Sequence, residues 1–407
     1  MNQTKLKGMI LIVLMAAAGL AGCIGDEDEK ESTMDASDGG YTYASNVDNH
    51  RSLMKDMCDI KSAASDYDWA TAKDIYQNGK NAEKSDGSYR TLAGFASAEG
   101  KNHDYDAYYG EAGSIDSHIM AALDGTGDFA GASDTVRYQG VAKLTANMGM
   151  IAYTIHELNA AVIKADAGNV DDDSGAPHAW DEGWAFFHGP DEDLGCAPAN
   201  TFKKRSADFG TETNGVSDTL NAVETAMVNG LAALQAEDQA GYTSATETIM
   251  KNIIIVYSQA TLKYTAKMDN ADSGEKYQAE GYAFWKVMEA YSAQYTDGCY
   301  NMNSHYVFMM GDIDSSTCDE FSWVESPTTG EMVCYNSVTH QTTTDNETEC
   351  DGFAAQWFEE MYGAEQINDI LDLSDSSKLG TSYDIAPHLE MVWSHYGITS
   401  AEIGTYS

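Results

Sequence analysis

The sequence predicts a mainly α-helical protein, a bundle built from a duplicated helical hairpin, with a small disulfide-stapled β insertion. Three observations predict this fold class. Apolar residues recur at three- and four-residue steps through much of residues 43–298, as on helix faces. Two stretches, 148–187 and 252–285, match each other in order, which indicates an internal repeat. Residues 299–350 are instead rich in Thr, Ser, Asn and Cys, which favours short strands.

Composition excludes several classes of protein. The chain has 407 residues, of which 43% are hydrophobic and 10% aromatic, so it can build a core and is not disordered for most of its length. With 23 basic and 65 acidic residues, the net charge is −42, which excludes a nucleic-acid partner because the surface repels phosphate. The excess of acid fits either solubility in salty water or attraction of cations.

The first residues predict export. Lys5 and Lys7 precede an apolar stretch over 9–20, which ends in small residues before Cys23. The run is shorter than the roughly 20 residues that a membrane-spanning helix needs, which argues against a plain membrane anchor. The Leu-Ala-Gly-Cys ending resembles the lipobox of prokaryotic lipoproteins, which implies a signal peptide over 1–23 and lipidation of Cys23. The expected location is the extracellular face of the cell membrane. Acidic residues 24–42 then predict a flexible tether.

Without Cys23, an even number of cysteines is left, which in an exported chain predicts disulfides. Four of them lie in 299–350, so that segment is expected to cross-link itself and leave the other two to join distant parts. A zinc site is the alternative, but no pair has CxxC spacing. The disulfide candidates are Cys58, Cys196, Cys299, Cys318, Cys334 and Cys350.

Helical periodicity is clearest over 148–162, 220–234 and 250–264. Further helices are expected over about 352–372 and 385–396, so residues 351–407 are predicted to complete the helical domain. Breaks rich in Gly and Asp separate the helices. They cover residues 124–134, 166–176, 188–198 and 269–274.

In each copy of the repeat, a long helix leads through an Asp/Gly loop into a Glu-Gly-aromatic-Ala-Phe motif. Tyr153 pairs with Tyr257, Leu158 with Leu262, and Glu182-Gly183 with Glu280-Gly281. The alternative is that two amphipathic helices converged on similar sequences. The ordered match of helix, loop and motif favours duplication.

The β insertion predicts three strands separated by turns, over 321–323, 331–336 and 339–344. Its spacing resembles a WW domain, although Thr343 or Thr344 stands near the place of the second signature Trp. Proline-ligand binding is therefore not implied, and a partner for this insertion is not identified. The matching residues are Trp323, Gly330, Tyr335, Asn336 and Thr339.

The segment HAWDEGWAFFHG, residues 178–189, is the main candidate for chemistry. On a helix, two imidazoles and two carboxylates share one face, and this donor set suits Fe, Mn, Zn or Cu. The alternative is an ordinary solvated face beside an apolar one. The second copy keeps only the glutamate of this face, and His156-Glu157 likewise aligns with Ala260-Thr261, so metal-type residues are special to the first copy. The predicted metal ligands are His156, Glu157, His178, Asp181, Glu182 and His188.

Patterns for enzymes are missing from the sequence. HExxH fails because Ala160 stands where its second histidine is needed, and neither GxSxG nor a phosphate-binding loop is present. Acidic runs at 171–173, 269–272 and 312–314 do not match the twelve-residue calcium loop, so calcium is disfavoured. The sequence therefore predicts a binding protein rather than an enzyme.

Residues 68–81 and 85–95, together with His156-Glu157-Leu158 and residues 180–187, carry a family resemblance. They resemble the low-iron-inducible periplasmic proteins, iron-assimilation proteins of algae sometimes grouped with phytotransferrins, over roughly residues 50–300. The resemblance implies extracellular capture of ferric iron, with carbonate as a synergistic anion. The positions that match the family's motifs are His156, Glu157, Asp181 and Glu182. The lipobox, the β insertion and the extreme acidity depart from the family's pattern.

Arg137 and Tyr138 are the predicted anion-binding residues, because a guanidinium suits planar carbonate. The alternative is that Arg137 pairs with a nearby acid. The leading hypothesis is a surface lipoprotein that binds iron and passes it to an uptake transporter. The alternatives are a surface adhesion or scaffold protein acting through the β insertion, and a metal-dependent hydrolase or oxidase using the residues at 156, 178, 181, 182 and 188.

Overall fold

The structure is a computed structural model, and it describes most of the chain from residue 37 onward. The predicted signal peptide with Cys23 and most of the predicted tether lie outside the described residues. So do Cys318 and residues 353–361. The described ranges are 37–101, 103–296, 299–301, 306–308, 320–326, 329–337, 342–343, 346–352 and 362–407.

Helices dominate the described residues, which confirms the predicted fold class. The helices before the repeat are α1 (Asp48–Ser65), α2 (Trp69–Asn78), α3 (Leu92–Ala96), α4 (His103–Tyr109), α5 (Ser114–Asp124) and α6 (Asp134–Lys143). Those that follow are α7 (Met150–Asp166), α8 (Ala176–Phe187), α9 (Pro198–Phe209), α10 (Asp218–Gln235), α11 (Gln239–Ala266) and α12 (Gly274–Ser292). The last are α13 (Glu347–Asp351), α14 (Tyr362–Ile370), α15 (Ala386–His395) and α16 (Ser400–Ile403).

The repeat folds as two pairs of consecutive helices, α7 with α8 and α11 with α12, each packed closely together. The glycine of each Glu-Gly motif lies at a close approach. A Cβ on Gly183 would lie 3.1 Å from the side chain of Leu158 on α7, and one on Gly281 would lie 2.8 Å from Leu371. The predicted breaks fall where these helices end because Gly and Asp terminate them.

The α6 and α7 helices are joined without a loop by a π-helical segment, Leu144–Gly149. Asn147 within it accepts hydrogen bonds on its side-chain oxygen from Tyr257 at 3.0 Å and from Thr201 at 2.8 Å. The widened turn therefore ties α7 to α9 and α11, and the two repeat units share one core.

The folded chain begins earlier than the predicted boundary at residue 43. Strands β1 (Ser37–Asp38) and β2 (Tyr41–Thr42) form an antiparallel pair. Tyr41 is fully buried, and the Asp38 carboxylate pairs with Arg51 on α1 at 2.6 Å. These contacts hold residues 37–42 against the helices. Two further short strands, β3 (Glu212–Thr213) and β4 (Val216–Ser217), precede α10.

The β insertion contains the three strands that its sequence predicts. Strands β7 (Phe321–Glu325), β8 (Met332–Asn336) and β9 (Thr342–Thr343) form one antiparallel sheet in that order. Before them, β5 (Cys299–Asn301) pairs with β6 (Tyr306–Phe308), a hairpin that the sequence analysis did not predict.

Two disulfides cross-link the described residues. Cys58 on α1 is joined to Cys196, just before α9, as expected for the two cysteines outside the insertion. Cys334 is joined to Cys350 within the insertion. Among the described residues, no helix is long and apolar enough to cross a bilayer.

Candidate functional site

Three titratable side chains, one from each of three helices, meet at the carboxylate of Glu182 on α8. Its Oε1 atom lies 2.8 Å from Nε2 of His50 on α1 and 3.1 Å from Nε2 of His178, one turn earlier on α8. The carboxyl group of Glu157 on α7 forms a hydrogen bond with the same glutamate. We call these four residues the Glu182 cluster.

The hairpin and α1 explain this convergence. Because α7 packs on α8, Glu157 and Glu182 face each other across the helix pair. The spacing of four residues places His178 above Glu182 on one helix face. The α1 helix crosses α8 and brings in His50 from its first turn. His50 and Glu157 are only 5% and 6% exposed, whereas the side chains of His178 and Glu182 are half-buried, so one side of the cluster keeps contact with water.

A second layer of hydrogen bonds fixes the His178 ring. Asp181 Oδ1 accepts a hydrogen bond from the Tyr41 hydroxyl at 2.6 Å. Its Oδ2 accepts from both the backbone N–H and the hydroxyl of Ser45, each at 2.7 Å. The Ser45 oxygen lies 2.8 Å from Nδ1 of His178. Because the Ser45 hydrogen is used on Asp181, Nδ1 must donate, and Nε2 is the nitrogen directed at Glu182.

The protonation states within the cluster are complementary. Burial and then the charge of Glu182 raise the pKa of Glu157 well above its usual value. Burial also acts to raise the pKa of Glu182, but His50 and His178 outweigh it and hold that pKa well below its usual value. The two carboxyl groups therefore share one proton, carried by Glu157.

The two imidazoles behave differently. Burial lowers the pKa of His50 to about 4, so this ring is neutral and donates from Nε2 to Glu182. Burial opposes protonation of His178 as well, but the hydrogen bond and charge of Glu182 raise its pKa. Nδ1 of His50 is buried and has no hydrogen-bond partner among the described residues. His50 therefore lacks the supporting layer that His178 has.

Aromatic rings and one arginine border the cluster. Tyr153 stacks between Phe95 and Phe186, with ring centroids 3.8 and 3.7 Å apart, and this wall excludes water. Arg90 donates to the Tyr153 hydroxyl at 3.0 Å, and its charge favours ionisation of Glu157. The half-buried guanidinium thus makes it easier for the cluster to carry negative charge.

The structure brings together three of the six predicted metal ligands: Glu157, His178 and Glu182. Asp181 lies behind them and acts on His178 through Ser45. His188 and His156 have other surroundings. The ring of His188 stacks on Trp184, and its Nδ1 lies 2.9 Å from the carbonyl oxygen of Gly189; the ring of His156 lies 5.6 Å from that of Phe95.

Arg137 has a structural role instead of contacting the Glu182 cluster. Its guanidinium donates to the carbonyl oxygens of Ala122 and Leu123 at the end of α5 and lies 4.2 Å from the centre of the Trp69 ring. Arginine commonly satisfies free carbonyls at the end of a helix in this way. Tyr138 follows it on α6, where burial and then the charge of Glu280 raise its pKa.

Within the described part of the chain, no group of three or more His, Cys, Asp or Glu side chains is arranged so that it could hold a metal ion. In the Glu182 cluster, the side chains form hydrogen bonds with one another. Two of the distances between its donor atoms are nevertheless close to those between adjacent ligands of one ion. At metal–ligand bonds of about 2.1 Å, adjacent donor atoms at right angles lie about 3 Å apart. The Nε2 atoms of His50 and His178 lie at 2.8 and 3.1 Å from Glu182 Oε1.

A family model described as low iron-inducible periplasmic protein matches residues 9–304, well over half of the chain. The chain belongs to this family. Comparison with curated proteins gave no match, and neither did comparison with solved structures.

All four residues of the Glu182 cluster lie within the range that the family model matches, whereas strands β7 to β9 lie beyond it. The match confirms the resemblance found in the sequence. The family's description connects its members with iron shortage and with the periplasm.

Proposed function

We propose that this protein binds iron at the Glu182 cluster and passes it to an uptake transporter. One observation carries the proposal: two imidazole Nε2 atoms and a second, buried carboxyl group converge on one half-buried carboxylate. Outside a metal or catalytic site, such a grouping is expensive, because buried charges require paired and hydrogen-bonded partners.

The chemistry of the cluster supports iron. Two imidazoles with two carboxylates form a nitrogen–oxygen donor set, which suits iron better than it suits the thiolate-loving ions. Ferric iron gains most from the two carboxylates, since it is a hard cation. The net charge of −42 raises the concentration of cations near the surface and supports capture from dilute solution.

Loading the cluster requires the release of protons. The proton on Glu157 and the one that His178 holds toward Glu182 must both leave, and the Nε2 proton of neutral His50 must move to its Nδ1, before these atoms can bind an ion. Ser45 and Asp181 then keep the His178 ring in place, because their hydrogen bonds involve Nδ1 and not Nε2. Lipidation of Cys23 would hold the protein at the outer face of the membrane, where the iron is handed over.

The test is a titration of the soluble chain from residue 24 onward, without the lipidated cysteine, with Fe³⁺, Fe²⁺, Zn²⁺ and Ca²⁺, with and without bicarbonate. We expect one iron ion per chain. The H178A and E182Q substitutions should each weaken binding by more than about 100-fold, since loss of a supporting residue alone typically costs 10- to 100-fold. H50A should have a smaller effect than H178A, because His50 lacks a supporting hydrogen bond.

His156→Ala is the matched control, since it removes a histidine one residue from Glu157 but outside the cluster. Its affinity should equal that of the unmodified chain. Circular dichroism spectra and melting curves of each variant distinguish loss of binding from loss of fold. Equal affinity of H178A, E182Q and the unmodified chain would overturn the proposal, and tighter binding of Zn²⁺ than of iron would contradict the choice of metal.

A further inference from the structure

A second polar site lies between α6, the π-helical segment and α9. It is a cavity of about 110 Å³, several times the roughly 10 to 15 Å³ needed for one water. Its walls include Tyr264 and Phe284. Its cationic lining residues are Lys61, Lys143, Lys204 and Arg205.

This concentration of positive charge is unusual for the chain. Only 23 of 407 residues are Lys or Arg, yet four of them line one cavity. Two carboxylates contact these four cations in the described residues: that of Asp208, 2.8 Å from Nη2 of Arg205, and that of Glu280, 3.9 Å from Nζ of Lys143. Burial lowers the pKa of Lys143 to about 8, with the charge of Glu280 opposing this shift and the charges of Lys61, Lys204 and Arg205 adding to it. These cations repel one another and lack a full set of counter-charges.

Arg205 has unused hydrogen-bonding capacity. The residue is 5% exposed, and its Nη2 pairs with Asp208 at 2.8 Å. Its Nε and Nη1 are buried and have no hydrogen-bond partner within the described residues. A buried guanidinium rarely leaves two donor groups unpaired, and a planar or tetrahedral oxyanion is the ligand that satisfies them.

The first turn of α9 adds to this preference. Ala197, Asn200 and Thr201 line the cavity, and no side chain caps this end of the twelve-residue helix. A helix N-terminus carries a partial positive charge, which favours a bound anion. The four cations also differ in their exposure to solvent. Lys204 is exposed, Lys61 and Lys143 are half-buried, and Arg205 is buried.

We propose that the cavity lined by Lys143, Lys204 and Arg205 binds a small oxyanion, of the phosphate, sulfate or carbonate type. This site is separate from the Glu182 cluster in its residues, and the proposal does not depend on iron binding. It also differs from the anion site predicted at Arg137 and Tyr138. In the second copy of the repeat, Glu280 thus faces a lysine where Glu182 of the first copy faces two histidines.

The test is calorimetric titration of the same soluble chain, from residue 24 onward and free of metal. Phosphate, sulfate and bicarbonate are titrated in three separate experiments at constant ionic strength. We expect one anion per chain to bind saturably in at least one of the three titrations. The anion that binds identifies which type of oxyanion the cavity takes. The substitutions K143Q and K204Q should each weaken it by about tenfold or more, as expected for the loss of one charge-assisted hydrogen bond.

K203Q is the matched control, since Lys203 is an exposed neighbour on the same helix that does not line the cavity. It removes the same charge and should change affinity by less than about twofold. R205K, which keeps the charge but loses the planar fork, tests the buried end of the site without a large change in volume. No saturable binding in any of the three titrations, or equal losses for K203Q and K204Q, would overturn the proposal.

Discussion

Ser45 connects two residues that the sequence placed on one helix face but could not assign to different roles. Nε2 of His178 is directed at Glu182. Both carboxylate oxygens of Asp181 instead accept hydrogen bonds, one from Tyr41 and the other from Ser45. Asp181 is therefore a supporting residue, and Ser45 transmits its effect to the imidazole. Supporting hydrogen bonds of this kind set the tautomer and orientation of a metal-binding histidine.

At the residue scale, we expect Ser45→Ala to weaken iron binding by about 10- to 100-fold, because Nδ1 of His178 loses its acceptor. Iron titration of the purified variant measures this. Ser52→Ala is the control, since that hydroxyl bonds only to the carbonyl of Asp48 in its own helix. If Ser45→Ala binds iron as tightly as Ser52→Ala does, the supporting role of Ser45 is wrong.

At the scale of elements, the two repeat units use the same helix pair for different purposes. The first unit holds the Glu182 cluster. The second holds a buried ion pair on α12, where the carboxylate of Glu289 lies 2.6 Å from Nζ of Lys286. Hydroxyls of Tyr108 and Tyr109 and the amide of Asn368 also donate to Glu289. This network joins α12 to α4 and α14.

The Glu289 network makes the free energy of unfolding depend on pH in the acidic range. Burial opposes ionisation of Glu289, but Lys286 outweighs it and lowers the pKa of this carboxyl group. Because the folded pKa lies below the unfolded one, the contribution is complete above the unfolded pKa and is lost as the pH falls through the folded value. Glu289→Gln should lose about 3 to 5 kcal/mol at neutral pH, since it leaves Lys286 buried without its partner.

Urea unfolding between pH 3 and pH 7 measures the acid dependence, which should be flatter in Glu289→Gln than in the unmodified chain. Glu275→Gln, a substitution in the first turn of the same helix, is the control. An unchanged pH dependence of stability in Glu289→Gln would show that this network does not couple the three helices to protonation.

At the scale of the whole molecule, the helical part and the β insertion each contain one of the two disulfides of the described residues. Cys58–Cys196 spans 138 residues and ties α1, which carries His50, to the segment before α9. Cys334–Cys350 spans 16 residues within the β insertion. In the chain-entropy account, closing the longer loop stabilises the fold by about 5 kcal/mol and the shorter one by about 3 kcal/mol.

We therefore expect C58S/C196S to lower the free energy of unfolding of the helical part by several kcal/mol and to weaken iron binding. The matched double variant C334S/C350S should leave both quantities unchanged. Denaturant unfolding followed by helical circular dichroism, together with iron titration, measures the difference. Equal losses in the two variants would mean that the β insertion and the helical part unfold as one unit.

The sequence by itself determined the helical class, the positions of the breaks, the three-stranded insertion and the Cys58–Cys196 link. Each of these depends on local periodicity, turn residues or cysteine counting. It also identified His178 and Glu182, because residues four apart on a helix share a face. The family match then confirmed the resemblance carried by its motifs.

Only the tertiary structure decided which candidates meet. His50 lies 128 positions before His178 in the sequence, and no spacing signals their contact; the crossing of α1 over α8 creates it. The same packing places His156 and His188 outside the Glu182 cluster. It also directs Asp181 to Ser45, through which Asp181 orients His178. The basic cavity near Arg205 also escaped the sequence analysis, because its lysines come from three separate helices. Periodicity fixes the face of a helix, but packing of distant helices decides what that face contacts.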